Sequence, residues 1–169
     1  GTNRTLYKLG KVDKYSWIMP GSSFLPSDMN AAYLYAQLQM ADEINNDRLK
    51  SWNRYYEELT PLAEKGLIEL PYIPKECVHN AHMFYIKCKD FEERKGLIDY
   101  LMSNDILPAS HYVPLHSSKA GVKYSEFRGE DKYTTKESER LLRLPLYYKL
   151  SEDDQEEVIS RVKEYYKFS

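Results

Sequence analysis

Cysteine is scarce: two residues, Cys77 and Cys88, in a chain of 169. Two thiols cannot build a disulfide framework, and they stand too far apart in sequence for a Cys-x-x-Cys redox or zinc pair. We read them as reduced thiols of a cytoplasmic protein. Glycine is also sparse at 7 residues. No Gly-x-Gly-x-x-Gly opens a helix and no Gly-Lys-Ser/Thr loop exists, which removes the usual dinucleotide and triphosphate cradles. No apolar run approaches the ~20 residues needed to cross a bilayer. The start "GTNRTLYKLG" has no apolar stretch or small-residue cleavage site, so neither membrane insertion nor export is expected. Neither sign of charge dominates, with 24 Lys and Arg against 26 Asp and Glu. Without a basic stripe to neutralise phosphates, nucleic acid is excluded as a partner.

What is present fits a globular chain: 42% hydrophobic and 30% charged residues. The length allows one domain, or one domain plus a piece of another, with roughly two thirds of the unfolded surface buried. Tyrosine, at 16 residues, is the conspicuous surplus. It combines apolar area with a hydroxyl, which suits interfaces and polar pockets as well as ordinary packing.

Residues 1–26 are poor in helix signals, and "KVDKYSWIMPGSSF" reads as a strand-like piece ending in a turn at Pro20 and Gly21. It has no partner strand nearby, so it looks cut from something larger. Ser27 and Asp28 form an N-cap ahead of a long helical pattern carrying Leu34, Leu38, Ala41, Trp52, Tyr56 and Leu59. Thr60–Pro61 should interrupt it, with a last turn ending at Gly66. Alternation follows: "LIELP", "HMFYIKC" and "DILPASHY" read as strands. Between the last two, Asp90 and Glu93 start a helix with Leu97, Ile98 and Leu101 inward. Thr134 and Glu137 start "TTKESERLL", and Ser151 starts a final helix with Val158, Ile159, Val162 and Tyr166 inward. The stretch from Ser117 to Tyr133 reads as a long polar connection, of a kind often functional. The expected fold is an α+β two-layer sandwich with helices on one face of a small sheet. Its organisation is a remnant at 1–26, a long helix at 27–66 and a domain at 67–169.

Three stretches could carry chemistry. His79 and His82 in "HNAH" lack a third ligand, so no metal is expected there, and one satisfied plus one solvated histidine is the simpler reading. "PGSSFLPSD" sets Gly21, Ser22 and Ser23 ahead of a helix N-terminus, either as an anion-binding feature or as a plain cap and turn. "HYVPLH", with His111, Tyr112 and His116, follows a strand-like segment and offers imidazole and phenol groups for hydroxyl or phosphate recognition. No nucleophile elbow accompanies Ser117 and Ser118, so a binding loop is expected.

Taken in order, "GTNR", "VDKYSW", "GSSFLPSDMNAAYLYAQL", "HNAHMFYIK", "HYVPLH" and "GEDKYTTKESERLLRLPLYYKLS" resemble the DegT/StrS-type sugar-nucleotide aminotransferases, pyridoxal-phosphate enzymes of the aspartate-aminotransferase fold. "GSS", "HNAHMFYIK" and "YTTKESERLLRLPL" are similar to the branch that converts a dTDP-4-keto-6-deoxyglucose into a dTDP-4-amino-4,6-dideoxygalactose for surface polysaccharide such as lipopolysaccharide.

The resemblance implies the small C-terminal domain of a fold-type I enzyme, preceded by a long interdomain helix. It also implies that the cofactor lysine lies upstream of this chain, so that no catalytic residue is present and the chain alone is inactive. Gly21, Ser22 and Ser23 match the segment that reaches the cofactor phosphate of the other subunit in a homodimer. Many relatives have asparagine where Ser23 stands. His111, Tyr112 and His116 match the edge that closes over the sugar. The implied partners are a dTDP-sugar and an amino donor, glutamate. A stand-alone nucleotide-sugar-binding or assembly module is the alternative.

Overall fold

The computed structural model describes residues 4–11 and 25–168. They fall into two units, Gly1–Ala41 and Asp42–Ser169. The strand-like reading of residues 11–24 lies almost wholly outside the described residues.

In the first unit, α1 (Arg4–Lys8) is a single helical turn where few helix signals were read, closed by Gly10 at φ 65°. Helix α2 (Asp28–Gln39) starts as expected, Ser27 accepting from the Asn30 N–H at 3.3 Å. None of its residues is buried, and Met29, Tyr33, Tyr35 and Leu38 are well exposed.

One helix was expected from Ser27 to about Leu59; the structure has a second helix, α3 (Ala41–Glu64), beginning after Met40. Helix α3 also runs through Pro61, which the sequence reading treated as a break. Proline lacks only its own N–H and restricts the residue before it, and Thr60 there turns its hydroxyl onto the Tyr56 carbonyl at 2.7 Å. The true stop is Gly66, at φ 70°, with the Leu67 N–H bonded to the Leu62 carbonyl at 3.0 Å in the six-to-one closure that suits glycine. The buried stripe of α3 is Trp52, Tyr55, Leu59 and Leu62. Tyr55 takes the place expected of Tyr56, its hydroxyl donating to the Pro145 carbonyl at 2.9 Å, and burial raises its pKa.

Strands β1 (Phe84–Lys87) and β2 (Leu141–Leu144) pair antiparallel; helices α4 (Phe91–Met102), α5 (Lys119–Tyr124) and α6 (Thr134–Arg140) lie between them in the chain, and α7 (Glu152–Tyr165) follows β2. The expected strands "LIELP" and "DILPASHY" contribute single bridges instead, Glu69 to Lys87 and Ala109 to Arg143, flanking the two-stranded ribbon. The strand β2 was read as the end of helix "TTKESERLL". Apolar residues in "LLRLPL" satisfy either period over so short a run. The alternation is decisive in space: Leu142 and Leu144 face the core opposite Ile86 and Phe84, which turns Arg143 to the other face. The connection Ser117–Tyr133 is likewise interrupted by helix α5.

The core joins α3, the inner face of the ribbon, Leu97 and Leu101 of α4, and Val158, Ile159 and Val162 of α7. Two further caps read from sequence are present. Asp90 accepts from the Glu93 N–H at 2.9 Å, and Ser151 from the Asp154 N–H at 3.0 Å.

Cys88 sits in this core with Tyr166 Oη 3.7 Å from its Sγ, and burial pushes its thiol up to about 11. Cys77 is exposed. A thiol reagent at neutral pH is therefore expected to label one cysteine quickly and the second only in denaturant, because the thiolate is the reacting form. Two fast thiols in the native protein would contradict this burial.

Candidate functional site

The segment after α4 is pinned at its start by Ile106 and Pro108, both buried, and by the bridge in which the Arg143 N–H donates to the Ala109 carbonyl at 2.8 Å. It then leaves the ribbon, and His111 and Tyr112 arrive at the wall of a pocket of about 250 Å³. Arg94, Ser117, Thr135 and Ser138 also line it. The wall is rich in hydroxyls and carries one fixed cation, Arg94, and one carboxylate, Glu139. Arg94 Nη1 donates to the Ser138 carbonyl at 3.0 Å, and its guanidinium lies 5.1 Å from the centre of the Phe91 ring. Such a surface suits a polar ligand such as a polyol better than an apolar one.

The rings of His111 and Tyr112 lie tilted against each other at 47° with centres 4.1 Å apart, and Tyr112 is 76% exposed. His111 Nδ1 lies 3.1 Å from Arg143 Nη1.

His116 belongs to the 3-10 turn Leu115–Ser117 and is not among the residues lining this pocket. Its Nε2 lies 3.0 Å from Asp131 Oδ2 and its ring 4.5 Å from that of Phe127. The structure thus brings His111 and Tyr112 together and gives His116 a different set of partners.

Asp131 explains how α6 begins. Thr134 and Glu137 were expected to cap this helix, but its N-cap position, Tyr133, makes no side-chain cap bond. Asp131 accepts from both the hydroxyl and the N–H of Thr135 instead. Glu137 pairs with Lys87, at the end of β1, at 2.6 Å. The Thr135 hydroxyl, with its N–H and the nearby His116, holds the Asp131 carboxyl below its ordinary 3.8. A carboxyl depressed on folding stabilises above its unfolded value and loses that contribution as pH falls through the folded one. Asp131→Asn should therefore flatten the acid limb of stability against pH, read from urea midpoints between about pH 6 and about pH 3. An acid limb identical to that of the parent protein would show that Asp131 carries none of it.

His79 and His82 follow the simpler reading. His79 Nδ1 accepts from the Ala81 N–H at 3.3 Å and packs edge-on to Trp52, while the His82 side chain is exposed. Gly21, Ser22 and Ser23 lie outside the described residues. Arg94, Asp131, Thr135, Ser138 and Arg143 were not singled out in the sequence. Arg143 had a local signal, the lone cation in an alternating "LLRLPL"; Asp131 and Thr135 had only a spacing that many loops share.

A model of the DegT/DnrJ/EryC1/StrS aminotransferase family matches residues 2–163. Among solved structures, a DegT/DnrJ/EryC1/StrS aminotransferase from Brucella abortus is similar with a TM-score of 0.77 and 26% identity, over 97% of this chain and 42% of that one. S. venezuelae DesV, in complex with a ketimine intermediate, gives 0.77 and 28% over 96% and 42%. NtdA from Bacillus subtilis, with bound cofactor PMP, gives 0.62 and 26% over 73% and 28%. The chain therefore spans less than half the length of these structures. With a family match over nearly all of its residues and an α+β domain shared with those structures, this chain belongs to the DegT/DnrJ/EryC1/StrS aminotransferase family.

Proposed function

We propose that this chain is the C-terminal part of a pyridoxal-phosphate sugar-nucleotide transaminase. Its complete protein transfers an amino group from glutamate to C4 of a dTDP-4-keto-6-deoxyhexose, giving a dTDP-4-amino-4,6-dideoxygalactose for surface polysaccharide. The observation that carries this reading is the hydroxyl-lined pocket walled by His111 and Tyr112, in a chain of this family. Imidazole, phenol and serine hydroxyls are the groups that hold a sugar in orientation without taking part in bond making.

The cofactor supplies the electron sink for moving an amino group when it is bound. Its covalent lysine is assigned to residues outside this sequence. A lysine nucleophile needs its ammonium destabilised, whereas carboxylates raise the pKa of Lys50, through Glu152, and of Lys87, through Glu137. Lys163 is likewise paired, with Glu58 at 2.7 Å. These side chains do not fit the covalent role. Gly21, Ser22 and Ser23 are proposed to meet the cofactor phosphate of a second subunit in a cytoplasmic homodimer. The exposed apolar residues of α2 are in keeping with a larger assembly.

The test is amino transfer by the complete protein, with dTDP-4-keto-6-deoxyglucose and glutamate, followed by release of 2-oxoglutarate and by product NMR. A galacto-configured 4-amino sugar is expected. His111→Gln should raise KM for the sugar nucleotide roughly tenfold, the worth of one good hydrogen bond to a polar ligand. No transfer with this pair would refute the substrate assignment. The 169-residue chain alone should show no turnover. The pocket and the core lie within the same unit, Asp42–Ser169, which favours one further reading, a module that binds nucleotide sugars unaided. Titration of the chain with a dTDP-sugar, followed by tyrosine and tryptophan fluorescence, distinguishes the two.

A further inference from the structure

An imidazole offers a ligand either a donor or an acceptor, depending on which nitrogen bears the proton. Which one it is follows from the bond made by the other nitrogen. At His111 that bond goes to Arg143: Nη1 lies 3.1 Å from Nδ1. A guanidinium has only donors and keeps its proton under all ordinary conditions, so Nδ1 must be the acceptor. The proton is left to Nε2. We propose that Arg143 is a positioning residue that holds His111 as the Nε2–H tautomer, so that the ring offers the occupant of its pocket a donor. That the occupant is a sugar nucleotide rests on the function proposed above; the tautomer does not.

Three features of the fold hold the pair in register. The alternation of β2 sends Leu142 and Leu144 into the core, and Arg143 between them points to the opposite face. The two bonds between Arg143 and Ala109, at 2.8 and 3.1 Å, tie β2 to the chain two residues before His111. The Arg143 Nε is buried without a hydrogen-bond partner, so among the described residues the imidazole is the guanidinium's only side-chain hydrogen-bond partner. A partly buried guanidinium whose Nε is shut off from solvent has little reason to leave its one side-chain partner.

The experiment is imidazole 15N and 13C NMR of the labelled chain at a pH where His111 is neutral. The sequence has 4 histidines, and His111→Gln identifies the signal. A single Nε2–H tautomer is expected in the parent protein, a mixture in Arg143→Met, and recovery of the single form in Arg143→Lys, which restores a donor. An Nδ1–H form in the parent protein overturns the proposal without any variant, and so does an unchanged tautomer in a folded Arg143→Met. In the complete transaminase, Arg143→Met should raise KM for the sugar nucleotide roughly five- to tenfold with less change in kcat, and Arg143→Lys should reverse most of it. If His111→Gln leaves KM unaltered while the tautomer still answers to Arg143, the sugar-site reading fails and the role of Arg143 stands. If His111→Gln raises KM while Arg143→Met leaves the tautomer as it was, the role of Arg143 fails alone.

Discussion

Gly121→Ala is expected to displace the turn Leu115–Ser117, with a stability loss of about 1–3 kcal/mol, and, under the proposed function, to weaken sugar-nucleotide binding more than tenfold. Gly121 is buried in the short helix α5, where a Cβ would stand 1.7 Å from the Leu115 carbonyl oxygen and 2.7 Å from its carbon. The obstacle is backbone, which cannot swing aside as the tip of a side chain can. The same carbonyl accepts from the Ser118 hydroxyl at 2.7 Å, and that hydroxyl accepts from the Gly121 N–H at 2.9 Å. Relief of the clash therefore moves Pro114 to Ser118 as a group, carrying Ser117 from the pocket wall and His116 from Asp131. Urea unfolding and ligand titration read the two effects separately. A variant with the parent's midpoint and affinity would show that this turn yields freely.

The largest loss of stability is expected from Phe84→Ala, about 3–5 kcal/mol. Phe84 is fully buried, pairs with Leu144 across the ribbon, and has the rings of Trp52 and Tyr55 at 5.4 and 5.1 Å. Its removal leaves a void between a helix and a strand that are both held by backbone bonds and cannot collapse into it. A domain of this size commonly has only about 5–15 kcal/mol in total. The substitution should thus bring the protein close to unfolding at body temperature, whereas Phe84→Leu, which keeps most of the volume, should cost clearly less. Calorimetry or a urea midpoint checks both. A small effect for alanine would mean that this contact between α3 and β1 is not where the core is held together.

Much of the fold was legible because its signals are local. Asp90 and Ser151 cap the helices they precede, since a side-chain oxygen near free N–H groups needs no distant partner. The inward stripes of α4 and α7 follow the helical period, and β1 follows strict alternation. The errors fall where local rules admit two answers. Pro61 can end a helix or ride inside one, and packing of Leu59 and Leu62 on either side favoured the second. "LLRL" can close a helix or form a strand, and the free edge of β1 settled it. The cap of α6 came from Asp131, outside the spacing of a capping box, because the loop brought its carboxylate onto Thr135.

The candidate site divides in the same way. That "HYVPLH" is a loop of hydrogen-bonding rings was readable from residue types, and so was the family resemblance that the comparison over residues 2–163 bears out. Its internal geometry was not. His111 and His116 stand five positions apart, yet one meets Arg143 and the other Asp131, both partners distant in sequence. Residue chemistry, local caps and apolar periodicity are properties of short stretches, and they sufficed for an α+β domain with a polar loop. Which nitrogen faces which partner depends on strand register and on where a connection folds back. Those are set by burying Phe84, Ile86, Leu142 and Leu144 together, a contact that only the folded chain makes.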